Sequence, residues 1–254
     1  FRYNRSPVEF NELSNELITT LLVTEDIRFY DHSGIDFKGL VRASYGVAKN
    51  VLTFGGSGLE GGGSTITQQL AKNLFKIRRE KKGKLSGVPF LGLVISKVKE
   101  WIVSIKLEEF YTKKEILAMY LNTAEYGSNS YGIKVAAKTY FDKLPSELNF
   151  NESSIIVGLL NKPTKYNPYF NPDNAIEKRA EIFYNLFKYD VISREEYDTL
   201  RYSGLNLKYK VENQNVGQAT YFRTVVRNYL INWARENDYD LFSDGLKIYT
   251  TIDS

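Results

Sequence analysis

Capping-box sequences mark the starts of helices in this chain and constrain its fold more than any other feature. Two such sequences are present, Thr112-Lys-Lys-Glu115 and Ser193-Arg-Glu-Glu196. In each, the hydroxyl can accept from the backbone N–H of the glutamate, and the glutamate carboxylate can accept from the backbone N–H of the hydroxyl residue. Apolar residues recur at helical spacing in other segments. We therefore predict a mainly α-helical protein, with helices in Thr65–Phe75, Lys97–Phe110, Thr112–Leu121, Ala175–Tyr189 and Tyr221–Arg235.

One segment near the carboxyl end has a different pattern. Leu246–Ile252 (LKIYTTI) alternates and is rich in β-branched residues, which predicts a short terminal strand. A single late strand after many helices indicates a junction with a further domain. A length of 254 residues allows one domain or two closely joined lobes.

The residue types exclude several kinds of site. Cysteine is absent and His32 is the single histidine, so disulfides, cysteine-bound metals and multi-histidine metal sites are excluded. Asp238-Tyr239-Asp240 matches the pattern by which many nucleotide-sugar transferases hold a metal, but so short a pattern often arises by chance. We therefore predict no metal ligands in this chain.

The net charge of +4 is mild, and the basic excess is concentrated in Lys76–Lys84 (KIRREKKGK). This run fits a solvated loop and contact with anionic lipid heads or phosphates equally well. Nucleic acid is disfavoured, because no known binding motif accompanies the run. The longest apolar run, Val88–Ile95, has eight residues, against the roughly 20 that a membrane helix needs. It is predicted to be a buried segment or a monotopic membrane contact.

The first candidate for chemistry is a pair of adjacent carboxylates, Glu25 and Asp26, which follow an apolar helix and precede Phe29, His32 and Gly34. A glutamate that ends a buried helix near aromatic rings is partly desolvated. Desolvation raises its pKa, which suits a general base. On spacing alone, an exposed helix-end carboxylate with a structural histidine is the more frequent arrangement, so both interpretations stay open.

The second candidate is a glycine-rich loop that opens a helix, Gly61–Lys72 (GGGSTITQQLAK). Thr65 and Gln68 have capping-box spacing, and free backbone N–H groups at such a helix start can hold an anion. On a helical wheel, one face is polar and available to a phosphate; it carries Gln68, Gln69 and Lys72. The other face is apolar and is predicted to face the core; it carries Ile66, Leu70 and Leu74. An ordinary capped helix after a flexible loop explains the pattern equally well.

The third candidate is Lys97 with Glu100, which are neighbours on one helix face. By itself this pair favours an exposed ion pair of little energetic weight.

Taken in order, these segments resemble glycosyltransferase family 51, the transglycosylase domain of class A penicillin-binding proteins. The family's first motif is met at Glu25–Gly34, and its second at Gly62–Gln69, followed by Lys72 and Asn73. Its third is met at Lys97 and Glu100, with Ser96 where arginine is usual. Each motif alone is only moderately specific for the family, but four motifs in the family's order and spacing are highly specific together.

The fourth motif resembles Lys114–Leu117, Tyr120–Asn122 and Gly127, with Glu125 where tyrosine is common. Later segments resemble the rest of the domain: Asn161–Pro163, Tyr166–Pro168, Lys178-Arg179 and Gly245–Asp253. The resemblance runs from about Ser6 to Asp253, which is nearly the whole chain.

The resemblance implies a peptidoglycan glycosyltransferase that polymerises lipid II into β-1,4-linked glycan strands, with inversion and release of undecaprenyl pyrophosphate. Glu25 is implied as the base, with Glu100 as a second catalytic carboxylate. The implied substrate-binding residues are Asp26, Phe29, His32, Ser64, Thr65, Gln68, Gln69, Lys72, Lys97 and Asn122. For some members the family also implies a Mg²⁺ or Mn²⁺ ion at the pyrophosphate, and no other cofactor is expected.

The implied fold is mainly α, with a lysozyme-like head lobe, a smaller membrane-associated jaw lobe and the short terminal strand. Residues 1–205 are expected to form the glycosyltransferase domain. Residues 206–254 are expected to complete it and to begin the linker toward a transpeptidase domain. Expected partners are lipid II, the growing glycan strand, the membrane and a phosphoglycolipid inhibitor of the moenomycin type, at the outer face of the bacterial cytoplasmic membrane.

Two rival functions remain open on the sequence. A lytic, glycan-cleaving enzyme of lysozyme-like fold would also use a glutamate, but as an acid, and would not need cations for a pyrophosphate. A non-catalytic scaffold that binds lipid II would not need Glu25 and Glu100.

Overall fold

The computed structural model of the protein describes residues 7–41, 63–75, 89–211 and 220–239, together with 246, 248 and 249. In this part of the chain the predicted mainly helical fold is confirmed, and the extended pairing is limited to one bridge between Glu125 and Tyr131. The helices are α1 (Asn15–Glu25), α2 (Ile66–Phe75), α3 (Pro89–Phe110), α4 (Lys113–Thr123), α5 (Ile133–Phe141), α6 (Phe150–Asn161), α7 (Pro172–Lys188), α8 (Arg194–Arg201) and α9 (Thr220–Glu236).

Both predicted capping boxes are present. The backbone nitrogen of Thr112 donates to the Glu115 carboxylate at 2.8 Å, and Thr112 Oγ1 accepts from the backbone of Glu115. Ser193 and Glu196 repeat this exchange at the start of α8. Helix α5, by contrast, was not predicted. It follows Gly132, whose φ of 87° favours glycine, and it has no side-chain cap that could mark its start.

The core is built around α6, which is buried along most of its length. Its apolar segment is buried through Leu159, with Leu160 only half-buried. Helix α1 packs against α6 and α7, and its Leu17 and Leu21 are fully buried. The apolar face of α1 therefore positions Glu25, its last residue, at the edge of the core.

Helix α2 packs against α3 and α4. Ile66, Leu70 and Ala71 are fully buried in this contact. Leu74, predicted on the core face, is 40% exposed, so the apolar face of α2 covers only its first two turns. Gln68, predicted on the polar face, is buried as well.

The start of helix α3 differs from the prediction. Helix α3 starts at Pro89, earlier than predicted, so residues 89–95 of the apolar run form its first turns, with Val94 and Ile95 exposed. The basic run at 76–84 lies outside the described residues. Among the described residues, no helix has both the length and the apolar character required to cross a membrane.

The predicted terminal strand lies largely outside the described residues. Leu246, Ile248 and Tyr249 are described, and they belong to no strand.

The chain divides into two compact units, one spanning residues 5–210 and the other mainly the residues from 211 onward. In the first unit, Lys208 and Lys210 donate backbone hydrogen bonds to the carbonyls of Tyr140 and Thr139 at the end of α5. Arg179 of α7 holds the carbonyl of Gly204. Residues 206–210 thus belong to the first unit. In the second unit, Trp233 of α9 stacks on Tyr239.

Candidate active site

Glu25 is the last residue of α1, and its carboxylate receives a hydrogen bond from Gln69 on α2. The distance from Gln69 Nε2 to Glu25 Oε2 is 2.7 Å. The hydroxyl of Tyr120, on α4, donates to Gln69 Oε1 at 2.9 Å. Three helices therefore meet at one carboxylate, and the sequence prediction that Glu25 is desolvated is consistent with this packing.

The pKa of Glu25 is raised above its ordinary value, chiefly because burial removes water from the carboxylate. The hydrogen bond from Gln69 and the charges of Lys178 and Lys72 oppose this rise, whereas the neighbouring charge of Asp26 adds to it. The result is a carboxylate that is easily protonated yet surrounded by groups that favour its ionised form. These are the properties of a general base.

Lys178 on α7 was not predicted as part of the site. Its aliphatic stem passes over α6 at Gly158, where an added Cβ would lie 3.2 Å from Lys178 Cγ. The glycine therefore leaves room for the lysine to lie close to α6. No local pattern marks Lys178, because its relation to Glu25 depends on how α7 packs on α1.

The side chain of Asp26 caps the start of helix α2. Its Oδ2 accepts a hydrogen bond from the backbone nitrogen of Ile66 at 3.1 Å, and the same carboxylate contacts His32 Nε2. Thr65 Oγ1 accepts from the backbone nitrogen of Gln68, as its capping position predicted. The backbone N–H groups of Ile66 and Gln68 are therefore not free, because the protein's own side chains already bind them, and anion binding at this helix start stays a prediction.

Thr65 and Gln68 both hold the loop that carries the first motif. Thr65 Oγ1 donates to the carbonyl of Gly34 at 2.7 Å, and Gln68 Nε2 donates to the same carbonyl at 3.3 Å. Gly34 has a φ of +87°, and an added Cβ would lie 2.8 Å from the backbone of Ser104 on α3. A glycine is therefore required where the loop meets α3. The predicted common polar face of α2 divides here, because Gln68 turns to this loop and Gln69 to Glu25.

Lys97 and Glu100 form the predicted ion pair on α3, with 2.7 Å between Lys97 Nζ and Glu100 Oε2. Glu100 is almost fully buried, so the pair is not an ordinary surface ion pair. Lys97 Nζ also donates to Ser64 Oγ at 2.8 Å. The third motif is thereby joined to the residue just before the Thr65 cap.

A second ion pair, between Lys113 and Glu108, contacts the first motif at Phe29 and His32. Lys113 Nζ lies 2.8 Å from Glu108, donates to the carbonyl of His32 at 2.6 Å and sits 4.2 Å from the centre of the Phe29 ring. Thr67 Oγ1 donates to the same Glu108 carboxylate. No local pattern marks Lys113 or Glu108, because their other partners, His32, Phe29 and Thr67, lie in distant segments of the chain.

Asn122 lies elsewhere. Its side-chain amide forms hydrogen bonds with both backbone groups of Val8, at 3.0 and 2.8 Å. These bonds attach the segment before α1 to helix α4. The amide is engaged by the protein itself, and a substrate-binding role for Asn122 stays a prediction.

The described residues do not fit a bound metal ion. Within them, no three His, Cys, Asp or Glu side chains converge as a metal would require. Asp26, the carboxylate next to Glu25, is already bound by Ile66 and His32. Of the Asp238–Asp240 pattern, Asp240 lies outside the described residues.

Comparison with known proteins places these motifs in context. A family model described as transglycosylase matches residues 1–187. Penicillin-binding protein 1A of Escherichia coli is 34% identical over 248 residues, which cover 98% of this chain and 27% of the relative. Penicillin-binding protein 1A of Aquifex aeolicus is 33% identical, over 97% of this chain and 31% of the relative. Penicillin-binding protein 1F of Bacillus subtilis is 32% identical, over 99% and 32%. The chain thus spans about a third or less of the length of these relatives.

Proposed function

Since the chain belongs to the transglycosylase family, we propose that it is a peptidoglycan glycosyltransferase, which joins lipid-linked disaccharides into β-1,4-linked glycan strands. The observation that carries the proposal is the environment of Glu25. This carboxylate is partly desolvated and accepts a hydrogen bond from Gln69, and the charges of two lysines partly offset the rise in its pKa.

In the proposed reaction, ionised Glu25 removes the proton from the 4-hydroxyl of the acceptor's GlcNAc. The freed oxygen attacks C1 of the donor's MurNAc from the opposite side to the leaving group. The bond from C1 to the pyrophosphate oxygen breaks with inversion, and undecaprenyl pyrophosphate leaves with the electron pair. The raised pKa of Glu25 makes it a stronger base than an exposed glutamate.

The departing pyrophosphate gains negative charge, which cations near the site stabilise. Lys72 on α2 and Lys97 on α3 are the proposed cations, and Glu100 orients Lys97 through their ion pair. Arg28 is a weaker candidate for this role, because its guanidinium pairs with Asp36. Asp26, Phe29, His32 and Ser64 support the site by holding the first motif and the start of α2.

The lytic alternative is less well supported by the same residues. A glycan-cleaving enzyme needs its glutamate protonated, as an acid. The raised pKa of Glu25 by itself suits either role, because burial outweighs the amide N–H and the two lysine charges that favour the ionised form. Cations beside the catalytic carboxylate suit a reaction that releases a charged pyrophosphate.

We propose that the enzyme works at the outer face of the bacterial cytoplasmic membrane, where a lipid-linked substrate is held. Helix α3 supports membrane contact, because it exposes a row of apolar side chains at helical spacing: Val94, Val98, Ile102 and Ile105. Exposed apolar rows of this kind mark contacts with lipid or protein. We expect the full-length protein to carry a transpeptidase domain as well.

The test is polymerisation of fluorescent lipid II in detergent, with products separated on a gel. The parent should give a ladder of glycan strands, and Glu25→Gln should give none. Glu109→Gln, an exposed glutamate on α3, is the matched control and should retain the ladder. A phosphoglycolipid of the moenomycin type should abolish the parent's ladder by competing for the donor site.

Each rival function predicts a different result. Shortening of purified glycan strands by the parent would favour the lytic enzyme. Lipid II binding without turnover, unchanged in Glu25→Gln, would favour the scaffold. A ladder from Glu25→Gln would show that Glu25 is not the base.

A further inference from the structure

Tyr120 lies behind the catalytic carboxylate rather than beside it. Its hydroxyl donates to Gln69 Oε1 at 2.9 Å, and Gln69 Nε2 in turn donates to Glu25 Oε2 at 2.7 Å. Only 2% of Tyr120 is exposed, so the residue is out of reach of a substrate. We propose that Tyr120 is a positioning residue, whose hydroxyl fixes the orientation of the Gln69 amide and thereby tunes the basicity of Glu25. This inference rests on the proposed role of Glu25 as the base.

The two ends of a glutamine amide have opposite effects on a carboxylate. The NH₂ group donates a hydrogen bond to the ionised form, whereas the carbonyl oxygen repels it. The ends are nearly equal in shape, so packing alone does not choose between them. In the structure the hydroxyl of Tyr120 donates to the carbonyl oxygen of Gln69, which leaves the NH₂ group to face Glu25. A phenolic hydroxyl can also accept, so Tyr120 and the ionised carboxylate favour this amide orientation together.

The tyrosine hydroxyl is a dependable donor in this position. Burial, together with the charge of Glu25, raises the pKa of Tyr120 well above its ordinary value. The hydroxyl therefore keeps its proton across the whole working range of pH. A phenylalanine would fill the same space without this hydrogen bond.

Other charged groups around Glu25 do not depend on Tyr120. Lys72 acts on Glu25 from α2, Lys178 from α7, and Asp26 from the next position in the chain. Removal of the Tyr120 hydroxyl leaves all three charges in place. A change in the pKa of Glu25 in that variant therefore reports on the Gln69 amide.

The experiment compares Tyr120→Phe with Tyr126→Phe. Tyr126 is the control because it is fully buried and donates its hydroxyl to the carbonyl of Leu121, at 3.1 Å, rather than to Gln69. The pKa of Glu25 is measured in each protein by ¹³C NMR titration of labelled glutamate carboxyls. The signal of Glu25 is the one that disappears in Glu25→Gln.

We expect Tyr120→Phe to raise the pKa of Glu25 by about one unit, the scale of one lost charge-assisted hydrogen bond. Tyr126→Phe should leave that pKa unchanged. The inference is overturned if Tyr120→Phe does not raise the pKa, or if both variants raise it equally. A third variant, Gln69→Leu, should raise the pKa by itself, and adding Tyr120→Phe to it should cause no further shift.

The NMR titration does not need catalysis, so it separates this inference from the proposed function. If the parent polymerises lipid II, the acid limb of its pH–rate profile should move to higher pH in Tyr120→Phe, and kcat should recover at alkaline pH. A uniform loss of kcat at every pH would indicate a merely structural role. If the parent is inactive, the proposed function fails while the titration still tests the amide orientation.

Discussion

The carboxylate of Asp26 caps helix α2 by accepting a hydrogen bond from the backbone nitrogen of Ile66, at a distance of 3.1 Å. The two residues are 40 positions apart in the chain. Asp26 directly follows Glu25, so this hydrogen bond keeps the start of α2 close to the catalytic carboxylate. A negative charge at a helix start is also favourable because of the helix dipole.

Replacement of Asp26 should test this cap. Asp26→Ala should lower the free energy of unfolding by about 1–2 kcal/mol, since α2 loses both the acceptor and the charge. Asp26→Asn should lose less, because an amide oxygen can still accept from Ile66. Urea denaturation followed by circular dichroism measures both variants. Equal stability of Asp26→Ala and the parent would contradict the capping role.

The contact between Gly34 and α3 predicts a large effect of an added methyl group. Gly34→Ala would force a side chain into a φ of +87° and within 2.8 Å of the Ser104 backbone. We expect a loss of at least about 2 kcal/mol in the free energy of unfolding. Gly204→Ala is the control, since its Cβ would lie 3.2 Å from the side-chain oxygen of Asn206 and 3.9 Å from the backbone nitrogen of the same residue. Its loss should stay below about 1 kcal/mol.

The ion pair between Lys113 and Glu108 should contribute to the free energy of unfolding. Lys113→Met would leave the Glu108 side chain, which is only 6% exposed, without its cation. We expect a loss of about 3 kcal/mol. Adding Glu108→Gln should recover part of this loss, because no buried charge then remains. Arg194→Met, which breaks an exposed pair with Asp198, should change stability by less than about 0.5 kcal/mol.

Lys97 should act on the chemical step. Lys97→Met should lower kcat about 100-fold or more, because one cation for the departing pyrophosphate is lost. Lys106→Met, an exposed lysine on the same helix, is the control and should retain the parent's kcat. Steady-state kinetics with lipid II separate kcat from KM. A change confined to KM would assign Lys97 to substrate binding alone.

The raised pKa of Glu25 predicts how stability depends on pH. The folded protein holds a proton on Glu25 up to a higher pH than the unfolded chain does. The stability that this group contributes is therefore fully present below the unfolded pKa and falls as pH rises through the folded pKa. Glu25→Gln removes this dependence, so it should be more stable than the parent at pH 7.

Thermal unfolding of both proteins across the pH range measures the effect. The stability difference should vanish below about pH 4, where an unperturbed glutamate is protonated in both states. A parent that is more stable than Glu25→Gln at pH 7 would show that the neighbouring lysines and Gln69 outweigh desolvation.

Features encoded by neighbouring residues could be predicted from the sequence. The caps at Thr112 and Ser193 depend on partners within one turn, and both are formed as predicted. Helix α5 was missed because the residue before it, Gly132, carries no side chain that could mark the start. The exposure of Leu74 was also missed, because a helical wheel does not show where a neighbouring helix ends.

The sequence alone determined the helical class, the family motifs and the choice of Glu25 as the carboxylate to consider. These follow from short-range patterns, in which each residue's partner lies a few positions away. The tertiary structure decided what surrounds Glu25. Gln69 contacts it from α2, Tyr120 acts through Gln69 from α4, and Lys178 adds a positive charge from α7. The Tyr120–Gln69 contact alone joins residues 51 positions apart. Such contacts depend on how α1, α2, α4 and α7 pack together, and packing is a property of the whole core rather than of any local segment.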